Sequence, residues 1–172
     1  MNPILKDLQE LYKTQNELDD RIIKEKNLQE ERLMSEKILA LYVEVGELAN
    51  ELPREFKFWS NKKNNYEKAL IEYVDCLHFI LSIGLDIEYV DSEYFDSGFG
   101  IGGYHEKNIK EQFLAFFETI ATFEEYRYEN DYEMMFNFFL GLGKKLGFTW
   151  EEVVEAYYKK NEINHKRQEE GY

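Results

Sequence analysis

Three acids fall within the eight residues EVGELANE, 44 to 51, and their neighbours Leu41, Val45, Leu48 and Leu52 are apolar. On a helix, Glu44, Glu47 and Glu51 stand at i, i+3 and i+7, so their carboxylates form one stripe. A second acidic pair follows in EYVD, where Glu72 and Asp75 are spaced i, i+3 among Tyr73, Val74 and Leu77. Carboxylates are costly to desolvate without partners. Two antiparallel helices that face each other with one such pair apiece make an all-oxygen cage, the surroundings that hard Mg²⁺ prefers. The competing reading is a solvated acidic face, the usual fate of a lone ExxE. Two pairs, each embedded in an apolar helix and separated by one short linker, favour the cage.

Other polar groups break the apolar pattern elsewhere. Gln15 and Asp19, at i and i+4 between Leu11, Leu18 and Ile22, interrupt the seam of the first helix where a core residue is expected. In KKNEINHKRQ, residues 159 to 168, five of ten residues are basic or His. Lys160, Asn164 and Arg167 there form a helical stripe suited to phosphate, or else a charged C-terminal face. The four glycines of DSGFGIGGY, residues 96 to 104, follow no predicted strand and lack the Lys-Ser/Thr ending of a P-loop. That stretch reads as a connection.

The elements that must position these residues are helical almost throughout. Ile4, Leu8, Leu11, Leu18 and Ile22 mark a helix over about 4 to 30, and Ser35 is the expected N-cap of a second helix that runs to about 52 and is closed by Pro53. After the polar link SNKKNNY a third helix spans about 67 to 85, with Gly84 near its end. Helices resume over about 106 to 126 and 131 to 146, the latter ending at Gly147. The capping box TWEE, Thr149 to Glu152, opens a last helix to about Gln168. Phe-rich stretches between 113 and 139 read as helical core or subunit interface rather than as a base-stacking platform. The expected fold is one all-α domain over 1–172, with a core from about 1–85 and 149–172 and a smaller movable helical part between.

Composition narrows the function. The 172 residues carry 21 Lys+Arg against 35 Asp+Glu, a formal net charge of -14, which repels nucleic-acid backbones and anionic membranes and attracts divalent cations. Cys76 stands alone, so an internal disulfide is excluded. No apolar run approaches the roughly 18 residues of a membrane span, and the N-terminus lacks a secretory pattern. A reducing, cytoplasmic setting is the expectation.

The ordered motifs resemble one family. EVGELANE, then KFWS, then EYVDCLHFILSIG resemble the dimeric, all-α dUTPases, relatives of the MazG-type nucleotide pyrophosphatases, whose shared pattern is ExxE, a spacer, then ExxD. TQNELDD looks like that family's Gln-containing substrate motif, and KNEINHKRQEEGY resembles its KNxxNxxRQxxGY phosphate motif. The likeness spans the chain, although 86 to 148 matches only as unspecific helix.

The resemblance implies Mg²⁺-dependent hydrolysis of dUTP, and also of dUDP, to dUMP, with more than one ion and a homodimer. Glu44, Glu47, Glu72 and Asp75 fall on the family's metal ligands, with Glu47 also orienting or deprotonating the attacking water. Glu51 lies outside the four-residue pattern and is either a supporting group or surface. Gln15 becomes a reader of uracil, or a bridge between helices; Asp19 departs from the Asn often found there and cannot donate when ionised. Trp59 offers a wall for the base or packs in the core, and Lys57 reaches toward phosphate. His78, one turn after Asp75, contacts the nucleotide, supports a ligand or is structural. Lys160, Asn164 and Arg167 become a clamp over the triphosphate. The enzyme rival is a MazG-type pyrophosphatase of broader range; the rival of another class is a helical regulatory or binding protein, of which repressor-binding phage members of the family are an example.

Overall fold

A computed structural model describes residues 3–28, 33–91, 95 and 103–171. Among them six long helices carry the fold: α1 (Pro3–Lys26), α2 (Met34–Asn50), α3 (Tyr66–Asp86), α4 (Ile109–Tyr126), α5 (Glu129–Leu146) and α6 (Trp150–Glu169). Short 3-10 turns occupy Pro53–Glu55 and Tyr89–Asp91, and no strand occurs among the described residues. The protein is all-α, as expected. No described helix is long and apolar enough to cross a membrane.

Side-chain caps fix three of the six helix starts. Asn65 accepts from the Lys68 N–H at 3.1 Å, Asn108 from Glu111 at 2.9 Å, and Thr149 and Glu152 form the full capping box. The start of α2 differs from expectation. Lys37 N–H bonds Leu33 O at 2.9 Å, so the first turn closes from Leu33, which offers no side-chain cap; Ser35 lies inside the helix. At the other end α2 stops at Asn50, and Pro53 opens a 3-10 turn, where its fixed φ is preset. Gly147 ends α5 at φ 85°, the left-handed region that glycine enters without a Cβ clash.

α3 is the hub: α1, α2, α5 and α6 all pack against it. Its relation to α2 is antiparallel, since Lys37 at the start of α2 pairs with Asp86 at the end of α3 at 2.6 Å, while Asn65 N–H at the start of α3 bonds Glu51 O at 2.8 Å. α1 and α6 instead advance in step. Asp7 accepts from Trp150 Nε1 at 3.0 Å, Gln15 from Tyr157 at 2.9 Å, and Arg21 donates to His165 Nδ1 at 3.2 Å. Leu8, Leu11, Leu41, Val45, Leu48, Val74, Leu77 and Leu81 fill the seams between these helices and are fully or almost fully buried.

α4 and α5 form a pair, with α4 against α2 and α5 against α3. Phe113, Phe116, Phe123, Phe136 and Phe139 are buried there, the core role expected of the Phe-rich stretches. The glycine-rich stretch 96–104 lies mostly outside the described residues, and its described end is Gly103 and Tyr104. Tyr104 N–H bonds Asn137 O at 3.1 Å, and Gln112 Nε2 donates to Tyr104 O at 2.7 Å. This strap lies so close to α5 that a Cβ on Gly141 would stand 1.9 Å from Tyr104 O. Gly141→Ala is therefore expected to destabilise the protein by about 1–3 kcal/mol, the usual cost of overpacking. Urea unfolding checks this, and an unchanged midpoint would contradict the close approach.

Candidate active site

The antiparallel register of α2 and α3 carries the middle of one helix past the middle of the other. It brings Glu44, Glu72 and Asp75 together, each offering an oxygen within 4.8 Å of the others. All three are half-buried. Burial, then Asp75, Glu47 and Glu72 in turn, push the Glu44 carboxyl up to about 7. Burial and the neighbouring acids raise Glu72 as well, and burial raises Asp75, with Lys160 opposing. Glu47 is exposed, but its charge acts on Glu44, Glu72 and Asp75. Glu51, at the end of α2, is half-buried and acts weakly on Glu72.

Positive charge comes from α6. Lys160 Nζ donates to Asp75 Oδ2 at 2.5 Å, and both side chains are largely enclosed. Lys160, Asn164 and Arg167 line one cavity of about 200 Å³ together with Glu44, Asp75, His78 and Gln15. The stripe expected from their spacing does face the acids. Three carboxylates that repel one another, with an ammonium drawn onto one of them, form a donor set that fits a hard divalent cation.

Gln15 is 3% exposed and its amide is held on both sides. Oε1 accepts from His78 Nδ1 at 2.7 Å and from Tyr157 at 2.9 Å, while Nε2 donates to Asp19 Oδ1 at 2.8 Å. Ser82 donates to the other Asp19 oxygen at 2.6 Å. His78 stacks on Tyr157 with ring centroids 4.2 Å apart and planes 20° from parallel. Asp19 thus supports Gln15 instead of lining the cavity itself.

Lys57 and Trp59 do not reach the cavity. Trp59 is 68% exposed and packs edge-on against Phe58 at 4.8 Å, and Lys57 lies over the Phe56 ring at 5.1 Å. Sequence reasoning missed Ser82, Tyr157, Phe79, Leu18 and Ile22 as lining or supporting residues. Two signals were present: Ser82 continues the Asp75–His78 stripe by four residues, and Tyr157 precedes Lys160 by three.

A family model described as dUTPase matches residues 7–172, a span that contains every residue of this site. No curated protein matches the chain. With its all-α architecture, its facing ExxE and ExxD pairs and a family match over nearly its full length, the chain belongs to the dUTPase family, whose members hydrolyse dUTP.

Proposed function

We propose that the chain converts dUTP and water to dUMP and pyrophosphate with Mg²⁺ held by Glu44, Glu47, Glu72 and Asp75, and that more than one ion takes part. The observation that carries this reading is the convergence of Glu44, Glu72 and Asp75 beside a cavity that Lys160 and Arg167 also line. Mg²⁺ in such a site neutralises charge on phosphate oxygens and lowers the pKa of a bound water. Glu47, exposed at the rim of the cluster, takes the proton from the attacking water. Lys160 exchanges Asp75 for a phosphate oxygen, and Asn164 and Arg167 hold the same chain of phosphates. Leu18, Ile22 and Phe79 exclude water from the base, which Gln15 and His78 contact. Lys57 and Trp59 enter this reading only through a movement of the 57–65 link or through a second subunit. A homodimer in the cytoplasm completes it, supported by the apolar side chains that α2 and α4 leave exposed, Leu39, Val43 and Leu114.

The direct test is a panel of deoxynucleoside triphosphates with Mg²⁺, scored for pyrophosphate release. dUTP is expected to be preferred strongly; equal turnover of dCTP or dTTP would move the protein to the broader MazG type. Water attacks the β-phosphorus in this scheme, with dUMP departing, so the γ-phosphate is dispensable. dUDP should therefore yield dUMP and phosphate, and label from water should appear in phosphate or pyrophosphate. Label in dUMP, with inert dUDP, contradicts that polarity.

Two substitutions probe the roles. Glu47→Gln keeps size but removes the base, and kcat should fall at least about 100-fold with folding intact. Gln15→Leu leaves the base edge unpaired and should weaken dUMP binding by roughly 1–3 kcal/mol. A near wild-type rate in the first, or unchanged affinity in the second, removes that residue from its role.

Without metal, the Glu44 carboxyl sits at about 7 against an ordinary 4.5. A folded-state pKa above the unfolded one means the group's contribution to stability falls as pH rises through that window. Mg²⁺ favours the charged form, so it should raise Tm clearly at about pH 8 and far less at about pH 5. Glu44→Gln should lose most of this difference; a Mg²⁺ shift independent of pH and of Glu44 would separate the metal from this cluster.

A further inference from the structure

Hydrogen-bond polarity along the Gln15 network fixes what the cavity offers a base. An ionised carboxylate only accepts, so the Gln15 group 2.8 Å from Asp19 is its NH₂. The amide oxygen is thereby turned to Tyr157 at 2.9 Å and to His78 Nδ1 at 2.7 Å. A carbonyl oxygen only accepts as well, so Nδ1 of His78 carries the ring proton. Burial, with Lys160 nearby, pushes the His78 pKa down to about 3. The ring is neutral and Nε2 is bare.

That nitrogen is a buried acceptor that meets no donor among the described residues. The His78 residue is 6% exposed, lines the cavity, and lies flat on Tyr157, so a ring flip would keep the stack but lose the Gln15 bond. An unmet buried acceptor is costly and is relieved by a ligand donor. Gln15 keeps one amide N–H beyond the one given to Asp19, while both lone pairs of its oxygen are occupied. The pair therefore presents one donor and one acceptor.

We propose that His78 determines base specificity: its Nε2 accepts the hydrogen bond of the uracil N3–H, while the remaining Gln15 N–H donates to a neighbouring uracil carbonyl. This rests on the assignment of the cavity to dUTP. Cytosine has a lone pair at N3 where uracil has a proton, so two acceptors would face each other, and a site built to pair a donor rejects a ligand that lacks it. Thymine shares the N3–H, so this contact separates uracil from cytosine and not from thymine. Asp19 acts through Gln15 as a positioning residue, because its carboxylate prevents the amide from flipping.

The test compares dUMP, dCMP, N3-methyl-dUMP and 2′,3′-dideoxyuridine monophosphate, each titrated with Mg²⁺ into wild type and His78→Asn. The Asn amide reproduces the Nδ1–H donor to Gln15 and omits Nε2. In wild type, N3-methylation and the change to dCMP should each weaken binding by about 10-fold or more; in His78→Asn the N3-methyl penalty should largely vanish and the dCMP penalty should shrink. Loss of the 3′-hydroxyl should affect the two proteins equally. Equal N3 penalties in both, or a lost response to the 3′-hydroxyl in the variant, overturn the proposal, the second by assigning Nε2 to the sugar. Should His78→Asn fail to fold, ¹⁵N-histidine NMR of wild type gives the answer: the Nε2 resonance should move on dUMP binding. Binding with an unmoved Nε2 overturns the His78 role alone, whereas no binding of dUMP overturns it together with the dUTP assignment.

Discussion

Repulsion among the carboxylates on the facing sides of α2 and α3 is the constraint on which the rest of the molecule depends. Glu44, Glu72 and Asp75 offer oxygens within 4.8 Å of one another, and burial adds to their mutual cost. Such an arrangement persists only where the surroundings hold it and a cation answers it. The hold comes from the apolar seam of Leu41, Val45, Leu48, Val74 and Leu77, which is buried against its neighbours. Lys160 supplies part of the answer, and it reaches Asp75 only because α6 runs along α1 and α3. The C-terminal helix is thus tied electrostatically to the acids as well as by packing.

A second layer of polar groups lies one turn farther along α3. Asp75, His78 and Ser82 follow each other at helical spacing and meet two helices: Asp75 meets α6 through Lys160, while His78 and Ser82 meet α1 through Gln15 and Asp19. Charge and neutral hydrogen bonding are therefore separated along a single helix face. That separation suits a ligand with a charged end and a flat polar end.

The acidic pairs, the helix count and the basic stripe of α6 were legible in the sequence because each depends on spacing along one element. ExxE and ExxD specify their faces wherever the helices go, and Thr149 to Glu152 specifies a helix start locally. What spacing could not supply was the pairing between elements. Spacing along its own helix does not alone mark Tyr157 or Ser82 as a site residue, since only the approach of α1 to α3 and α6 makes them partners of Gln15 and Asp19. Trp59 was judged by its type, a large aromatic beside a motif, and the chain folds with it 68% exposed and away from the cavity. The cap position of α2 lies two residues before Ser35, because the Lys37 N–H bond to Leu33 O already closes the first turn there and leaves Ser35 inside the helix.

The central claim is that the α2–α3 carboxylates form a divalent-cation site. Calorimetric titration of Mg²⁺ into the nucleotide-free protein, wild type against Asp75→Asn, tests it most directly. The account predicts saturable binding to wild type and affinity at least about 10-fold weaker in the variant, since a charged oxygen ligand is replaced by a neutral amide. Equal Mg²⁺ affinity in the two proteins, both folded, would contradict it.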